Sequence, residues 1–123
     1  MAVPLTALAE HLEAKSVSRV DLHRDLHGFT LLDAPRAILT LGAQEFVQIY
    51  GWTTQRLLIF AGVRYGRSPM VAIRAHPLKP AAVLFSAPGR IDPLAVRLSE
   101  VENIPLLTTP HGPKEILASL EEI

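Results

Sequence analysis

Residues 57–61 read Leu-Leu-Ile-Phe-Ala, and similar apolar runs follow at residues 81–85 (Ala-Ala-Val-Leu-Phe) and 104–108 (Ile-Pro-Leu-Leu-Thr). A short, continuous apolar run bounded by turn residues is typical of a strand that is buried on both faces of a parallel sheet. We therefore expect these runs to form the central strands of the fold.

The segments that follow the apolar runs carry helix signals. Ser68-Pro69 and Asp92-Pro93 each place a capping side chain directly before a proline, and Pro113 opens the last segment. Both residue types are favoured at the start of a helix. The resulting order is strand, helix, strand, helix, strand, helix. This alternation predicts an α/β fold with a small, mostly parallel sheet flanked by helices.

The first half of the chain carries weaker signals. Three leucines recur at helical spacing near the amino terminus and predict an amphipathic helix there (Leu5, Leu8 and Leu12). The remaining expectations are strands at residues 16–22 and 29–32 and a helix at residues 35–50.

Length and composition favour one globular domain, residues 1–123. Hydrophobic residues make up 49% of the chain and charged residues 20%, a balance typical of proteins with a packed core. The absence of cysteine excludes disulfides, thiolate metal sites and cysteine nucleophiles. No apolar run approaches the ~20 residues that span a bilayer. We expect a soluble, cytoplasmic protein with no membrane partner.

The charge balance argues against a nucleic-acid partner. The chain has 12 basic and 12 acidic residues, so its formal net charge is zero. Proteins that bind nucleic acids usually carry an excess of positive charge that matches the phosphate backbone. We therefore expect no nucleic-acid partner.

The candidate binding site lies in the loops that follow the central strands. In open parallel sheets, ligands gather beyond the carboxyl ends of the strands, which here are residues 62–68, 86–91 and 108–112. Arginine and imidazole groups there suit a small anionic metabolite. The candidate ligand-binding residues are Gly62, Arg64, Gly66, Arg67, Ser68, Arg90, Thr109 and His111.

The first of these loops resembles a phosphate-binding loop without being one. Three residues separate Gly62 from Gly66, where a P-loop has four, and Arg67 stands in place of the lysine. A glycine turn followed by a serine cap is the favoured alternative. The Thr109 hydroxyl also has an alternative role, because threonine hydroxyls in loops more often form hydrogen bonds with loop backbone than with a ligand.

Catalytic and metal sites are not expected. His23 and His27 are four residues apart, but no third ligand accompanies them, and an exposed polar segment is the favoured interpretation. The string from His23 to Leu26 imitates a kinase catalytic loop without its other motifs. No serine is paired with a histidine in a known nucleophile motif. We expect a non-enzyme without a metal or cofactor.

Three segments of the second half form a familiar pattern: residues 46–52, with a glycine flanked by aromatic residues, residues 55–62, and the strand–helix–strand unit from Pro80 to Thr109. With these segments the chain resembles the N-terminal domain of bacterial HPr kinase/phosphorylase and the related DRTGG domain. Gly62-Val63-Arg64 lies where such domains carry glycine, aspartate and arginine, and residues 87–89 lie at their later glycine turn. The aspartate and the paired glycines are missing here, as is the kinase half.

This resemblance implies an accessory α/β fold, related to the N-terminal domain of Mur ligases, and no catalytic residue. The leading hypothesis is a regulatory or interaction domain that forms a homodimer or binds a protein partner, and that senses a small phosphorylated ligand. One alternative is a small enzyme that acts on a phosphate ester through His111 or Ser68. Another is a structural subunit of a larger complex, with an apolar patch near Trp52.

Overall fold

The apolar runs form the centre of the sheet, as the sequence predicts. The computed structural model describes residues 3–33, 57–62, 70–71, 73–74 and 80–121. The strands within these ranges are β1 (Val3–Pro4), β2 (Lys15–Ser16), β3 (Asp25–Leu26), β4 (Phe29–Asp33), β5 (Leu57–Ala61), β6 (Ala82–Ser86) and β7 (Leu106–Thr109). The helices are α1 (Leu5–His11), α2 (Pro93–Glu102) and α3 (Pro113–Glu121), and a further helical segment between β5 and β6 includes Met70, Val71, Ile73 and Arg74.

Five of the described strands form the main sheet, in the order β2-β7-β6-β5-β4. Strands β4 to β7 pair in parallel, and the two-residue β2 adds antiparallel to β7 at one edge. Strands β1 and β3 form a separate antiparallel pair. The small, mostly parallel α/β fold expected from the sequence is therefore confirmed.

Both faces of the central strands are covered, which explains their uninterrupted apolar sequences. Every residue of β5 and β6 is buried. Because side chains alternate between the faces of a strand, Leu58 and Phe60 pack with the helical segment at Met70 and with α2. Leu57 and Ile59 pack on the other face with α1 and α3. The sheet is thus the middle layer between two layers of helices.

Helix α2 shows how local sequence sets the limits of an element. The Asp92 carboxylate accepts a hydrogen bond from the Leu94 amide at 2.8 Å, as the predicted cap requires. At the other end Asn103 is left-handed, with φ 55°, and the buried Ser99 hydroxyl donates to the Ile104 carbonyl at 2.7 Å. These bonds satisfy polar groups at the helix end as the chain turns into β7.

The sequence expectations for the first half are partly confirmed. Helix α1 and strand β4 form where predicted. The predicted strand at residues 16–22 is wrong in extent, since the strand ends at Ser16. The Val17 amide still donates to the Leu106 carbonyl of β7 at 2.9 Å. The chain then leaves the sheet edge, because the Arg19 amide bonds to the Glu100 carboxylate at 2.9 Å and holds the backbone near α2. The predicted helix at residues 35–50 lies outside the described residues.

Two further observations concern the helices. The helical segment after β5 buries Met70 and Ile73, whereas its predicted cap at Ser68 lies outside the described ranges. In the part of the chain that the structure describes, no helix has the length and apolar character needed to cross a membrane.

The Phe60–Phe85 contact provides a test of the central packing. The rings meet edge to face, with centroids 6.1 Å apart, and both side chains are fully buried. Phe85→Ala is expected to lower the free energy of unfolding by about 3–5 kcal/mol because it leaves a cavity between the sheet and α2. Val101→Ala is the control, since Val101 is 63% exposed, and its effect should stay within about 0.5 kcal/mol. Urea unfolding measures both, and equal effects would contradict the packing described.

Candidate ligand-binding site

A cleft of about 680 Å³ opens beyond the carboxyl ends of β6 and β7. Small-molecule sites commonly measure about 300–1,000 Å³, so this volume suits a metabolite. Four segments line the cleft: α1 with the turn after it, the edge strand β2, the loop between β6 and α2, and the end of β7 with the residue after it. The lining residues are Ala9, Glu10, Glu13, Ala14, Lys15, Ala87, Pro88, Gly89, Ile91, Thr108, Thr109 and Pro110.

The charged groups of the cleft lie on different elements. Glu10 belongs to α1 and Glu13 to the turn that follows it, whereas Lys15 lies on the edge strand β2. Lys15 is paired with Thr108 in the antiparallel ladder, and side chains of directly opposed residues project to the same face. The cleft therefore has a side with two carboxylates and a side with an ammonium and a hydroxyl.

The structure brings some of the predicted site residues to this region. Thr109 lines the cleft, and His111 contacts Glu13, which also lines it. Gly62 is exposed after β5 with φ 73°, a left-handed conformation that glycine adopts without strain. Arg90 is exposed in the loop between β6 and α2. The other candidates lie outside the described residues: Arg64, Gly66, Arg67 and Ser68.

The hydroxyl groups at the strand ends hold loop backbone together. Thr109 is buried, and its hydroxyl donates to the Leu12 carbonyl at 2.7 Å. The Ser86 hydroxyl donates to the His111 carbonyl at 2.8 Å. The Ala87 amide donates to the Thr109 carbonyl at 2.7 Å, with Ala87 itself at φ 42°. These bonds fix the rim of the cleft to α1 and to strands β6 and β7.

His111 lies between two carboxylates. Its Nδ1 is 2.8 Å from a Glu115 oxygen, and its Nε2 is 3.3 Å from a Glu13 oxygen. A neutral imidazole has one N–H, so the doubly protonated form satisfies both contacts. The hydrogen bond to Glu115 raises the pKa of His111, with a further contribution from Glu13. The same bond lowers the pKa of Glu115, which the Gly112 amide lowers further.

Glu13 has an unusual backbone for its residue type. Its φ is 54°, in the left-handed region that non-glycine residues rarely adopt. The Glu13 amide bonds to the Glu10 carbonyl, and the following Ala14 amide bonds to Ala9. This tight turn ends α1 and aims the chain into β2, so that Glu13 and Lys15 lie on the same cleft.

Sequence reasoning missed Glu10, Glu13 and Lys15. Their presence at the cleft depends on the pairing of β2 with β7 and on the packing of α1 against the sheet, which are long-range contacts. The signal that could have found them is the short, charged segment between an amphipathic helix and the next apolar run.

The other sequence candidates have structural roles or polar surroundings. Arg24, within the kinase-like string, donates to the carbonyls of Ala81 and Asn103 at 3.1 and 2.5 Å. His23 is exposed and bonds to Asp21 at 2.6 Å, and the His23 amide lowers the pKa of Asp21. Among the described residues, no three His, Cys, Asp or Glu side chains are grouped as metal ligands.

The bridge at His111 predicts a pH dependence of stability. Since folding raises the pKa of His111, its contribution is complete below the ordinary imidazole value of about 6.5 and is lost as the pH rises through the folded value. His111→Gln should therefore flatten the fall in the free energy of unfolding that begins near pH 6.5 and continues as the pH rises through the folded pKa of His111. The lowered pKa of Glu115 acts at more acidic pH.

Urea unfolding at a series of pH values measures this effect. The control is His27→Gln, which removes an exposed imidazole and leaves the contacts of Glu13 and Glu115 intact. An unchanged pH profile in His111→Gln would show that the bridge does not form in solution.

Comparisons with known proteins give relatives and a fold. No family model matches the chain. It is 45% identical over 100 residues to an uncharacterized HTH-type transcriptional regulator of Methanocaldococcus jannaschii, covering 80% of this chain and 42% of that protein. It is 42% identical over 113 residues to an uncharacterized HTH-type transcriptional regulator of Archaeoglobus fulgidus, covering 90% of this chain and 48% of that protein. The chain thus spans less than half the length of either relative.

These relatives correct one expectation. The sequence predicted no nucleic-acid partner, and that prediction is contradicted by two similar proteins named as HTH-type transcriptional regulators. The zero net charge describes the 123 residues of this chain, whereas the matched residues make up less than half of each relative. A net charge counted over these residues therefore does not exclude a nucleic-acid partner.

A solved structure shares the fold. It contains the CBS and DRTGG domains of the regulatory region of Clostridium perfringens pyrophosphatase, complexed with the activator diadenosine tetraphosphate. The match has a TM-score of 0.67 and 13% sequence identity, and it covers 93% of this chain and 44% of that one. The resemblance inferred from the sequence is confirmed at the level of the fold: this chain has a small, DRTGG-like α/β fold.

Proposed function

We propose that this chain is the non-catalytic regulatory region of a transcriptional regulator, and that it binds a small phosphorylated ligand in the cleft beyond β6 and β7. The observation that carries the proposal is the 42–45% identity to two archaeal HTH-type regulators over 80–90% of the chain. Identity at this level, over most of the chain, supports a shared role for the matched region.

The order of helices and strands bears on where the DNA-contacting unit of these relatives lies. A helix-turn-helix unit needs two helices joined by a short turn. Within the described ranges, a strand separates each helix from the next one along the chain. Since the match covers 42–48% of these relatives, we propose that their DNA-contacting unit lies in the part that this chain does not match and that the matched region provides the ligand response.

The cleft supports a ligand rather than a reaction. Its position beyond parallel strands is where α/β folds bind small molecules, and Lys15 supplies a cation that suits a phosphate. Both ring nitrogens of His111 contact carboxylates, at 2.8 Å from Glu115 and 3.3 Å from Glu13, which supports a structural role for this side chain at the rim of the cleft. The fold is shared with a regulatory region that was solved with a phosphorylated activator, which supports the same ligand class here.

A thermal-shift panel of nucleotides and sugar phosphates tests the ligand proposal. A ligand present at a hundred times its Kd should stabilise the chain by about 2.7 kcal/mol and raise its Tm. Lys15→Gln should weaken binding by about tenfold, which corresponds to ~1.4 kcal/mol. The matched control is Lys114→Gln, because Lys114 is exposed on α3 and does not line the cleft. An unchanged Tm across the panel would contradict the proposal.

The regulatory part needs the full-length relative from Archaeoglobus fulgidus. A compound that stabilises this chain should change the affinity of that protein for its own promoter DNA, measured by fluorescence anisotropy. Since coupling between two sites is typically about 1–3 kcal/mol, the expected change is roughly 5- to 150-fold. Equal DNA affinity with and without the compound would contradict a regulatory role.

A further inference from the structure

The charges of the cleft do not suit a simple anion. Among the residues that line the cleft, Glu10 and Glu13 are acidic and Lys15 is basic, so a bare phosphate would meet more carboxylates than ammonium groups there. Carboxylates repel a phosphate. A phosphorylated ligand therefore needs a second group that favours the carboxylates.

An ionised carboxylate accepts hydrogen bonds and donates none. The second group must accordingly bring donors. Glu13 is well suited to receive them, because one of its oxygens is 3.3 Å from His111 Nε2 while the side chain as a whole remains 73% exposed. His111 restrains this carboxylate at the rim of the cleft. The left-handed turn at Glu13 fixes the backbone that carries the carboxylate.

The spacing of the two kinds of charge sets the size of the ligand. Glu13 and Lys15 are two residues apart along the chain, so their Cα atoms lie no more than about 7 Å apart. Glu10 lies one helical turn before Glu13. This short spacing suits a ligand whose donors and phosphate are separated by a few bonds, as in a pentose phosphate. The apolar lining next to these groups leaves room for a larger attached moiety (Ala9, Ala14, Ala87, Pro88, Ile91 and Pro110).

We infer that Glu10 and Glu13 accept hydrogen bonds from sugar hydroxyls while Lys15 and Thr108 bind the phosphate, so that the ligand is a sugar phosphate or a nucleotide. This inference rests on the proposed function and specifies the ligand class for the same cleft. It gives the two carboxylates a binding role, as acceptors that select against phosphate compounds without donors.

Isothermal titration calorimetry with three probes tests the inference. Ribose 5-phosphate carries hydroxyls and phosphate, inorganic phosphate carries no sugar hydroxyls, and phosphoethanolamine carries an ammonium in their place. Ribose 5-phosphate is expected to bind at least tenfold more tightly than either of the others. Tighter binding of phosphoethanolamine would overturn the choice of hydroxyls as the donors.

The sign of the response to Glu13→Gln separates recognition from repulsion. If the carboxylate accepts hydrogen bonds from sugar hydroxyls, the substitution should weaken the binding of ribose 5-phosphate by about fivefold, since a charged acceptor gives a stronger hydrogen bond. The same substitution should strengthen the binding of inorganic phosphate. If Glu13 merely repels anions, both probes should bind more tightly, and that result would overturn the inference.

Two further variants complete the experiment, one on the second carboxylate of the cleft and one as a control. Glu10→Gln should act in the same direction as Glu13→Gln and leaves the contact of Glu13 with His111 intact. Glu121 is exposed on α3 and does not line the cleft, so Glu121→Gln should change the affinity for neither ribose 5-phosphate nor inorganic phosphate. Absence of binding by all three probes would contradict the phosphate site of the proposed function itself. Binding of phosphate and ribose 5-phosphate with equal affinity would contradict this inference alone.

Discussion

The burial of β5 and β6 on both faces is the constraint on which the rest of this structure depends. A parallel strand that is covered on both sides has no polar surface to offer water, so helices must pack against each face. Here α1 and α3 cover one face, and α2 with the helical segment at Met70 covers the other. The connections between these layers have to cross the ends of the sheet. The carboxyl-terminal end is therefore the place where segments from both layers meet and leave a cleft between them.

The cleft is held in shape by bonds that link those layers. Thr109 connects the end of β7 to the end of α1, and Ser86 connects the end of β6 to the loop that leads into α3. His111 adds an ionic bridge from that loop to the turn after α1. These contacts place the carboxylates of the cleft on a backbone that is tied to the buried strands. A rigid rim of this kind lowers the cost of ordering a site when a ligand binds.

Much of the fold could be predicted from the sequence because its strongest signals are local. The apolar runs, the capping residue Asp92 and the helical spacing of the leucines near the amino terminus each follow from short-range preferences. The sequence predicted the position of the cleft at the strand ends, but it did not predict which charged side chains line it. Lys15 reaches it through a two-residue antiparallel strand, and Glu13 through a left-handed turn, and neither feature has a distinctive sequence signal. The nucleic-acid expectation was wrong for a different reason, because a net charge of zero over 123 residues does not exclude a nucleic-acid partner.

The central claim is that the cleft beyond β6 and β7 is the place where this region senses a phosphorylated ligand. The most direct measurement is a two-dimensional amide NMR titration of the ¹⁵N-labelled chain with ribose 5-phosphate. The account predicts that chemical-shift changes concentrate at the turn after α1, the loop between β6 and α2, and the end of β7. Saturable shifts confined to the opposite end of the sheet, near Arg24 and Asn103, would contradict it, as would a spectrum that does not change.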